Sequence, residues 1–236
     1  MTQVDLKRRA VAEGVGTALL LATVVGSGIM GERLAGGNVA VALLANTLAT
    51  ASALMALILT FGPVSGAHFN PVVTVADAAQ KGLSWRDVPA YVLAQVIGAF
   101  VGVAAADGMF GEPIFAASQH VRSGSGQWIS EVIATFGLLA VIWGVSRRRP
   151  TAVPFAVGAY IAAAYWFTAS TSFANPAVTL ARTMSNTFAG IRPQDAPGFI
   201  VAQILGATLA TLLFQWLVPS STNDSAAPKN APVPSE

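Results

Sequence analysis

The sequence predicts an all-α membrane protein with six transmembrane helices and two re-entrant half-helices, arranged as an inverted repeat. Three observations predict this class. Hydrophobic residues make up 54% of the 236 residues and charged residues only 10%, whereas a soluble domain carries roughly 25% charged residues. The chain also contains charge-free stretches long enough to cross a bilayer. Finally, three polar landmarks recur in the same order in both halves of the chain.

The apolar stretches of the sequence predict six membrane-spanning helices. A helix needs about 20 apolar residues to cross a membrane. The apolar stretches predict spans over residues 11–30, 38–61, 88–108, 128–146, 153–170 and 196–218. Two charge-free stretches, 34–76 and 150–181, are longer than one span requires. Their surplus residues are candidates for re-entrant segments.

Basic residues predict the orientation of these spans. With the N-terminus inside, nine of the 13 Lys and Arg residues fall on the cytoplasmic side, as expected for an inner-membrane protein with both termini in the cytoplasm. We expect residues 1–218 to form a single channel domain. Residues 219–236, rich in Pro, Ser, Ala and Asn, are expected to be a disordered tail.

The repeat is defined by three landmarks: a glutamate within an apolar span, an Asn-Pro pair and a glutamine. The pairs are Glu13 and Glu131, Asn70 and Asn175, and Gln95 and Gln203, at separations of 118, 105 and 108 residues. The repeats cover about residues 8–110 and 126–218. Each contains three spans, an odd number, so the second repeat enters the membrane upside down, as in many transport proteins.

Each Asn-Pro pair is predicted to begin a half-helix. Asn is a good N-cap, and Pro suits the first helical position. Ten following residues would span about 15 Å, which is half of a hydrocarbon core of about 30 Å. Asn70 and Asn175 are therefore expected to meet at the midplane, where two positive helix ends repel cations.

Glu13 and Glu131 lie inside the first and fourth spans. Carboxylates buried in a membrane are costly and functional by default. One interpretation is that they hold the backbone N–H groups of the re-entrant loops; the other is that they relay protons in a proton-coupled carrier. His68 is expected to support the first loop, with a pH gate as the alternative. His120 and Arg122 are expected in an exposed external loop.

The two motifs resemble the signatures of the aquaporin, or major intrinsic protein, family. Residues 65–74, Ser-Gly-Ala-His-Phe-Asn-Pro-Val-Val-Thr, resemble the first signature, and Asn-Pro-Ala at 175–177 resembles the second. The resemblance covers about residues 8–217. It implies a homotetramer with one channel in each subunit.

The resemblance also implies a four-residue selectivity filter. Family spacing assigns it to Thr50, Ala163, Ser172 and Val178. Relatives usually carry Arg in the place of Val178, so this set has neither a ring nor a charge. Arg182, four residues further on, is expected to face the external vestibule or to cap the half-helix. Such a filter is wide and weakly polar.

A filter of this kind implies a passive channel for small uncharged solutes larger than water. Candidates are glycerol-like polyols, urea and neutral metalloid hydroxides such as arsenite, together with water. The Val-for-Arg replacement resembles a bacterial, aquaglyceroporin-like subgroup associated with arsenic resistance, which adds methylated arsenicals. The alternatives are a proton-coupled carrier and a water-selective or junctional membrane protein. No nucleophile–base pair, metal-ligand cluster or basic stripe is present, so we expect no enzyme activity, no metal or cofactor and no nucleic-acid partner.

Overall fold

The computed structural model describes residues 4–217, which fold into eight α-helices joined by short connections and two single 3₁₀ turns. No β-strand occurs within this range. The helices are α1 (Leu6–Leu34), α2 (Val39–Ser65), α3 (Pro71–Ala79), α4 (Val88–Phe110), α5 (Ser125–Ser146), α6 (Val153–Phe167), α7 (Pro176–Arg182) and α8 (Ala196–Leu217). The 3₁₀ turns, Pro150–Ala152 and Pro193–Asp195, precede α6 and α8. The fold is all-α, and the tail over residues 219–236 lies outside the described residues.

The helix order repeats between the two halves. Two long helices, a short helix and a long helix form α1 to α4, and the same order recurs in α5 to α8. In the first half α1 packs on α2 and α4, and in the second half α5 packs on α6 and α8. The short helices cross over, because α3 contacts α8 and α7 contacts α4. Each half therefore completes the packing of the other.

Five helices are long and apolar enough to cross a membrane: α1, α2, α4, α5 and α8 with its preceding turn. The sixth predicted span, 153–170, is shorter than expected, because α6 ends at Phe167 and Thr168 takes an extended conformation. Fifteen residues of α6 rise about 22 Å, and the 3₁₀ turn before it adds about 6 Å. The residues after Phe167 are instead needed for the loop that leads to Asn175.

Glycines set the closest approach between the long helices. A Cβ atom on Gly98 of α4 would lie 2.2 Å from the carbonyl oxygen of Gly14 on α1. The equivalent Gly206 of α8 would place a Cβ atom 2.4 Å from the carbonyl oxygen of Val132 on α5. Both distances are shorter than van der Waals contact. The two helix pairs can therefore pack this closely only without side chains at these positions.

We expect Gly98→Ala to destabilise the protein by about 1–3 kcal/mol, because the added methyl group must push α1 and α4 apart. The measurement is the thermal unfolding midpoint of purified protein in detergent. The control is Gly126→Ala, at the start of α5, where an added Cβ atom has no neighbour within 4 Å. Equal midpoints for the two variants would contradict the packing argument.

Candidate functional site

The site begins with two asparagines that cap the short helices. Asn70 is the N-cap of α3, and its side-chain oxygen accepts a hydrogen bond from the N–H of Val72 at 3.1 Å. Asn175 is the N-cap of α7, and its side-chain oxygen accepts from the N–H of Ala177 at 3.0 Å. In both cases Pro occupies the first helical position, where its missing N–H costs nothing.

The two caps also hold each other. Nδ2 of Asn70 donates to the carbonyl oxygen of Ala174 at 2.7 Å, and Nδ2 of Asn175 donates to the carbonyl oxygen of Phe69 at 2.7 Å. These reciprocal bonds fix α3 and α7 N-terminus to N-terminus. A primary amide has two N–H donors, so each asparagine keeps one beyond this bond, and both asparagines line the same cavity.

A buried carboxylate holds the loop before α3. Glu13 is fully buried, and its two oxygens accept four hydrogen bonds of 2.6–3.0 Å. The donors are the Ser65 hydroxyl, the backbone N–H groups of His68 and Phe69, and the Gln95 amide. A buried carboxylate is tolerated when its oxygens are hydrogen-bonded, so this carboxylate and this loop satisfy each other.

The second half repeats this arrangement residue by residue. Glu131 is also fully buried. It accepts from the Ser170 hydroxyl at 2.6 Å, the N–H groups of Phe173 and Ala174 at 2.9 Å each, and the Gln203 amide at 2.6 Å. Every donor lies 105 or 108 residues beyond its counterpart in the first half. The sequence repeat is thus a repeat of one hydrogen-bonded anchor.

Both anchored loops adopt the same uncommon backbone. Ala67 and Phe69 have φ values of +51° and +49°, and Ser172 and Ala174 have +53° and +47°. Left-handed conformations at residues other than glycine cost on the order of 1–3 kcal/mol each. The hydrogen bonds to the two carboxylates offset this cost.

The loops, the short helices and the long helices enclose a cavity of about 390 Å³. It extends from Asp77 on α3 and Gly82 just after α3 to Arg182 at the end of α7. One wall is apolar, formed by side chains such as Leu20, Val24, Leu54, Ile58, Leu138, Ile142, Trp143, Val157 and Ile161. Residues 66–69 and 172–174 of the two loops also line it.

The loop wall offers hydrogen-bond acceptors. The carbonyl oxygens of Ala67, His68, Ser172 and Phe173 accept no hydrogen bond from any residue in 4–217, although all four residues line the cavity. The nearby N–H groups are already paired, four with the two carboxylates and those of Ala67 and Ser172 with the hydroxyl oxygens of Ser65 and Ser170. A solute in the cavity therefore meets free acceptors, two asparagine donors and an apolar face.

His68 joins the loop to the half-helix that follows. Its ring Nδ1 lies 3.1 Å from the hydroxyl oxygen of Thr74, and its Nε2 lies 3.6 Å from a carboxylate oxygen of Asp77. Both partners are on α3. The ring is thus held between the loop and α3 while it lines the cavity.

Three of the four residues assigned to the filter line this cavity, and one does not. Thr50, Ser172 and Val178 are buried lining residues. Ala163 is exposed and is absent from the cavity wall. The assignment of Ala163 is therefore wrong, because residues 157, 161 and 165 share the cavity face of α6 and residue 163 points to the other side.

The residue that sequence spacing missed on α6 is Tyr165. It is buried, lines the cavity, and its hydroxyl donates to the Thr50 hydroxyl oxygen at 3.3 Å. An aromatic ring thus lies beside the assigned filter, contrary to the expectation of a set without rings. Tyr165 lies four residues after Ile161 on the same face of α6, but only the structure shows that this face lines the cavity.

Arg182 also differs from expectation. It is only 3% exposed and lines the cavity, so it neither faces open solvent nor merely ends α7. Its guanidinium carbon lies 3.4 Å from the ring centroid of Phe173. A positive charge is therefore present within one turn of Val178.

Arg122, expected in an exposed loop, is buried as well. Its Nε donates to the carbonyl oxygen of Gly190 at 2.8 Å, and its main-chain N–H donates to Asp195 at 2.9 Å. Burial lowers the pKa of Arg122 to about 10, which leaves it charged at neutral pH. The residue ties the connection after α4 to the connection before α8.

We expect Glu131→Gln to lower stability by about 1–3 kcal/mol, because an amide cannot accept all four hydrogen bonds and leaves buried donors unpaired. The thermal midpoint of the purified protein measures this loss. Glu32→Gln is the control, since Glu32 is exposed on the same type of helix. An unchanged midpoint for Glu131→Gln would show that the carboxylate is not the anchor of the second loop.

Comparison with known proteins identifies the family. The profile of the family described as major intrinsic protein matches residues 1–172 and, in a second match, 148–234. The chain is 55% identical to aquaglyceroporin AqpS of Rhizobium meliloti over 92% of this chain and 93% of that protein. It is 31% identical to the probable aquaporin AqpM of Archaeoglobus fulgidus over 90% of this chain and 97% of that protein.

A solved structure shows the same fold. The aquaglyceroporin from Plasmodium falciparum superimposes with a TM-score of 0.73 at 20% identity, covering 91% of this chain and 98% of that one. The two Asn-Pro caps, the two carboxylate anchors and the cavity that both halves line agree with these similarities. This chain belongs to the major intrinsic protein family, whose members are multi-pass membrane channels and not enzymes.

Proposed function

We propose that this protein is a passive channel for small uncharged solutes larger than water, with water also passing. The solutes include glycerol-like polyols, urea and neutral metalloid hydroxides such as arsenite. We further propose a homotetramer in the inner membrane with both termini in the cytoplasm. The similarity over nearly the whole chain to a protein named aquaglyceroporin supports conduction of water and glycerol.

One observation carries the proposal: one cavity is lined both by apolar side chains and by loop residues whose carbonyl oxygens accept no hydrogen bond within residues 4–217, together with the two asparagines. Lining groups and width decide what a channel conducts. A polyol presents hydroxyl groups on one side and C–H groups on the other, and so matches both walls. Arsenite as As(OH)₃ is neutral and also carries three hydroxyl groups, so the same donors and acceptors suit it.

The filter residues are part of this proposal. Thr50, Ser172 and Val178 have small or medium side chains, and Val178 stands where relatives usually carry Arg. The absence of a large side chain at that place leaves room for solutes wider than water. Tyr165 lines the same cavity, and its hydroxyl donates to the hydroxyl oxygen of Thr50.

The carrier alternative has less support. A proton relay needs a carboxylate that can release its partners and titrate. Glu13 and Glu131 each accept four hydrogen bonds from the loops that they hold. Protonation of either would disrupt its anchor, which favours a fixed structural role.

The decisive experiment is a permeability panel in proteoliposomes. Stopped-flow swelling is recorded for water, glycerol, urea and neutral arsenite, alongside a proton-leak assay. We expect glycerol flux well above that of protein-free liposomes and no proton leak, because two helix N-termini converge at Asn70 and Asn175. Accumulation driven by an imposed pH gradient would indicate a carrier, and impermeability to every solute would indicate a junctional protein.

We expect Val178→Arg to reduce glycerol and arsenite flux more than water flux, because the longer side chain narrows the cavity beside Thr50. The measured quantity is the ratio of glycerol to water flux, each corrected for the flux through protein-free liposomes, so that the ratio does not depend on how much protein is folded. Val178→Ile is the matched control, since it adds volume without a charge or a donor. An unchanged ratio in a well-folded Val178→Arg protein would show that Val178 does not line the narrow part of the channel.

A further inference from the structure

Arg182 occupies a place that the proposed filter does not explain. It is the last residue of α7, one helical turn beyond Val178. Long charged side chains at a helix end usually reach water. This one is buried at 3% exposure and lines the cavity.

Two contacts aim the guanidinium at the cavity. Its Nε donates to the carbonyl oxygen of Ala189, and its central carbon lies 3.4 Å from the centroid of the Phe173 ring. The two terminal nitrogens make no hydrogen bond with any residue in 4–217. A guanidinium has five N–H donors, so four of them remain available at the cavity wall.

Arg122 shows what a purely structural arginine looks like in the same place. Its guanidinium also lies over the Phe173 ring, at 5.1 Å. Its three nitrogens donate to the carbonyl oxygens of Gly190, Ser170 and Phe188 at 2.8, 3.3 and 3.4 Å. Arg122 does not line the cavity. The two arginines share one ring, but only Arg182 keeps its terminal donors free.

We propose that Arg182 is the specificity-determining donor and the cation barrier at this end of the cavity, one turn beyond the place that Val178 occupies. The proposal rests on the channel function above and names the solute feature that the channel selects. A guanidinium edge offers two parallel N–H donors, which match two neighbouring oxygens. Solutes with adjacent hydroxyl groups, such as glycerol, are therefore favoured over solutes with one acceptor oxygen, such as urea.

The test compares Arg182→Lys, Arg182→Gln and the control Arg122→Lys in proteoliposomes. Arg182→Lys keeps the charge and loses the paired donors, so we expect the glycerol-to-urea flux ratio to fall about threefold with no new proton leak. Arg182→Gln also loses the charge, so we expect proton leak relative to water flux to rise about tenfold or more. Arg122→Lys should lower the thermal midpoint and leave both ratios at the wild-type values.

Each flux is corrected for the flux through protein-free liposomes, which makes the ratios independent of the folded fraction, so partial misfolding does not mimic the effect. If Arg182→Gln does not fold, the glycerol-to-urea flux ratio of Arg182→Lys alone tests the role of Arg182. If neither variant folds, the wild-type protein is treated with butanedione, a small arginine reagent. We then expect modification of Arg182, detected by mass spectrometry, with a lower glycerol-to-urea ratio and with protection by glycerol.

Unchanged ratios in the Arg182 variants, or a butanedione-treated protein with Arg182 unmodified or its flux ratio unchanged, would overturn the proposal. Equal changes in Arg182→Lys and Arg122→Lys would also overturn it, since they would indicate a shared structural role. A wild-type protein that conducts no solute would instead overturn the channel function itself. The two failures are thus distinguishable.

Discussion

The hydrogen bonds between two buried carboxylates and two re-entrant loops are the interaction on which this structure depends. Loops at membrane depth expose N–H groups that lipid cannot satisfy. A carboxylate at the same depth is equally costly alone. Glu13 and Glu131 each resolve both problems at once, by accepting two main-chain N–H groups and two side-chain donors. Removing either partner leaves the other unsatisfied, so loop and helix must be kept together.

The character of the cavity follows from these anchors. Because the carboxylates take the loop N–H groups, the loops present carbonyl oxygens that accept no other bond within residues 4–217. The asparagine amides add donors where α3 and α7 meet. The long helices supply an apolar wall opposite. A cavity with one polar strip and one apolar wall suits neutral solutes that carry hydroxyl groups, while the two helix N-termini that meet at Asn70 and Asn175 repel cations.

The far end of the cavity is organised around Phe173. Its backbone N–H is held by Glu131 at 2.9 Å, and its ring lies beneath both buried arginines. Arg122 donates its hydrogen bonds to carbonyl oxygens of the surrounding connections. Arg182 donates one N–H group to the carbonyl oxygen of Ala189 and presents its other N–H groups to the cavity. One anchored ring thus supports both a structural charge and a cavity-facing charge, and the absence of Arg at position 178 does not leave this end of the cavity neutral.

The sequence by itself determined the all-α class, five of the six spans to within a few residues at most ends, and the two capped half-helices. These features follow from local chemistry: apolar length, the capping preference of Asn and the fixed φ of Pro. Tertiary structure decided which side chains share the cavity. Helix α6 ends at Phe167 so that Ser170 and its neighbours can reach Glu131, and packing against α2 and α5 turns Tyr165 rather than Ala163 inward. The burial of Arg182 depends on Phe173 and Ala189, which approach it only in the folded chain. Spacing along a sequence cannot supply the rotation of a helix about its axis, because that rotation is set by the helices packed against it.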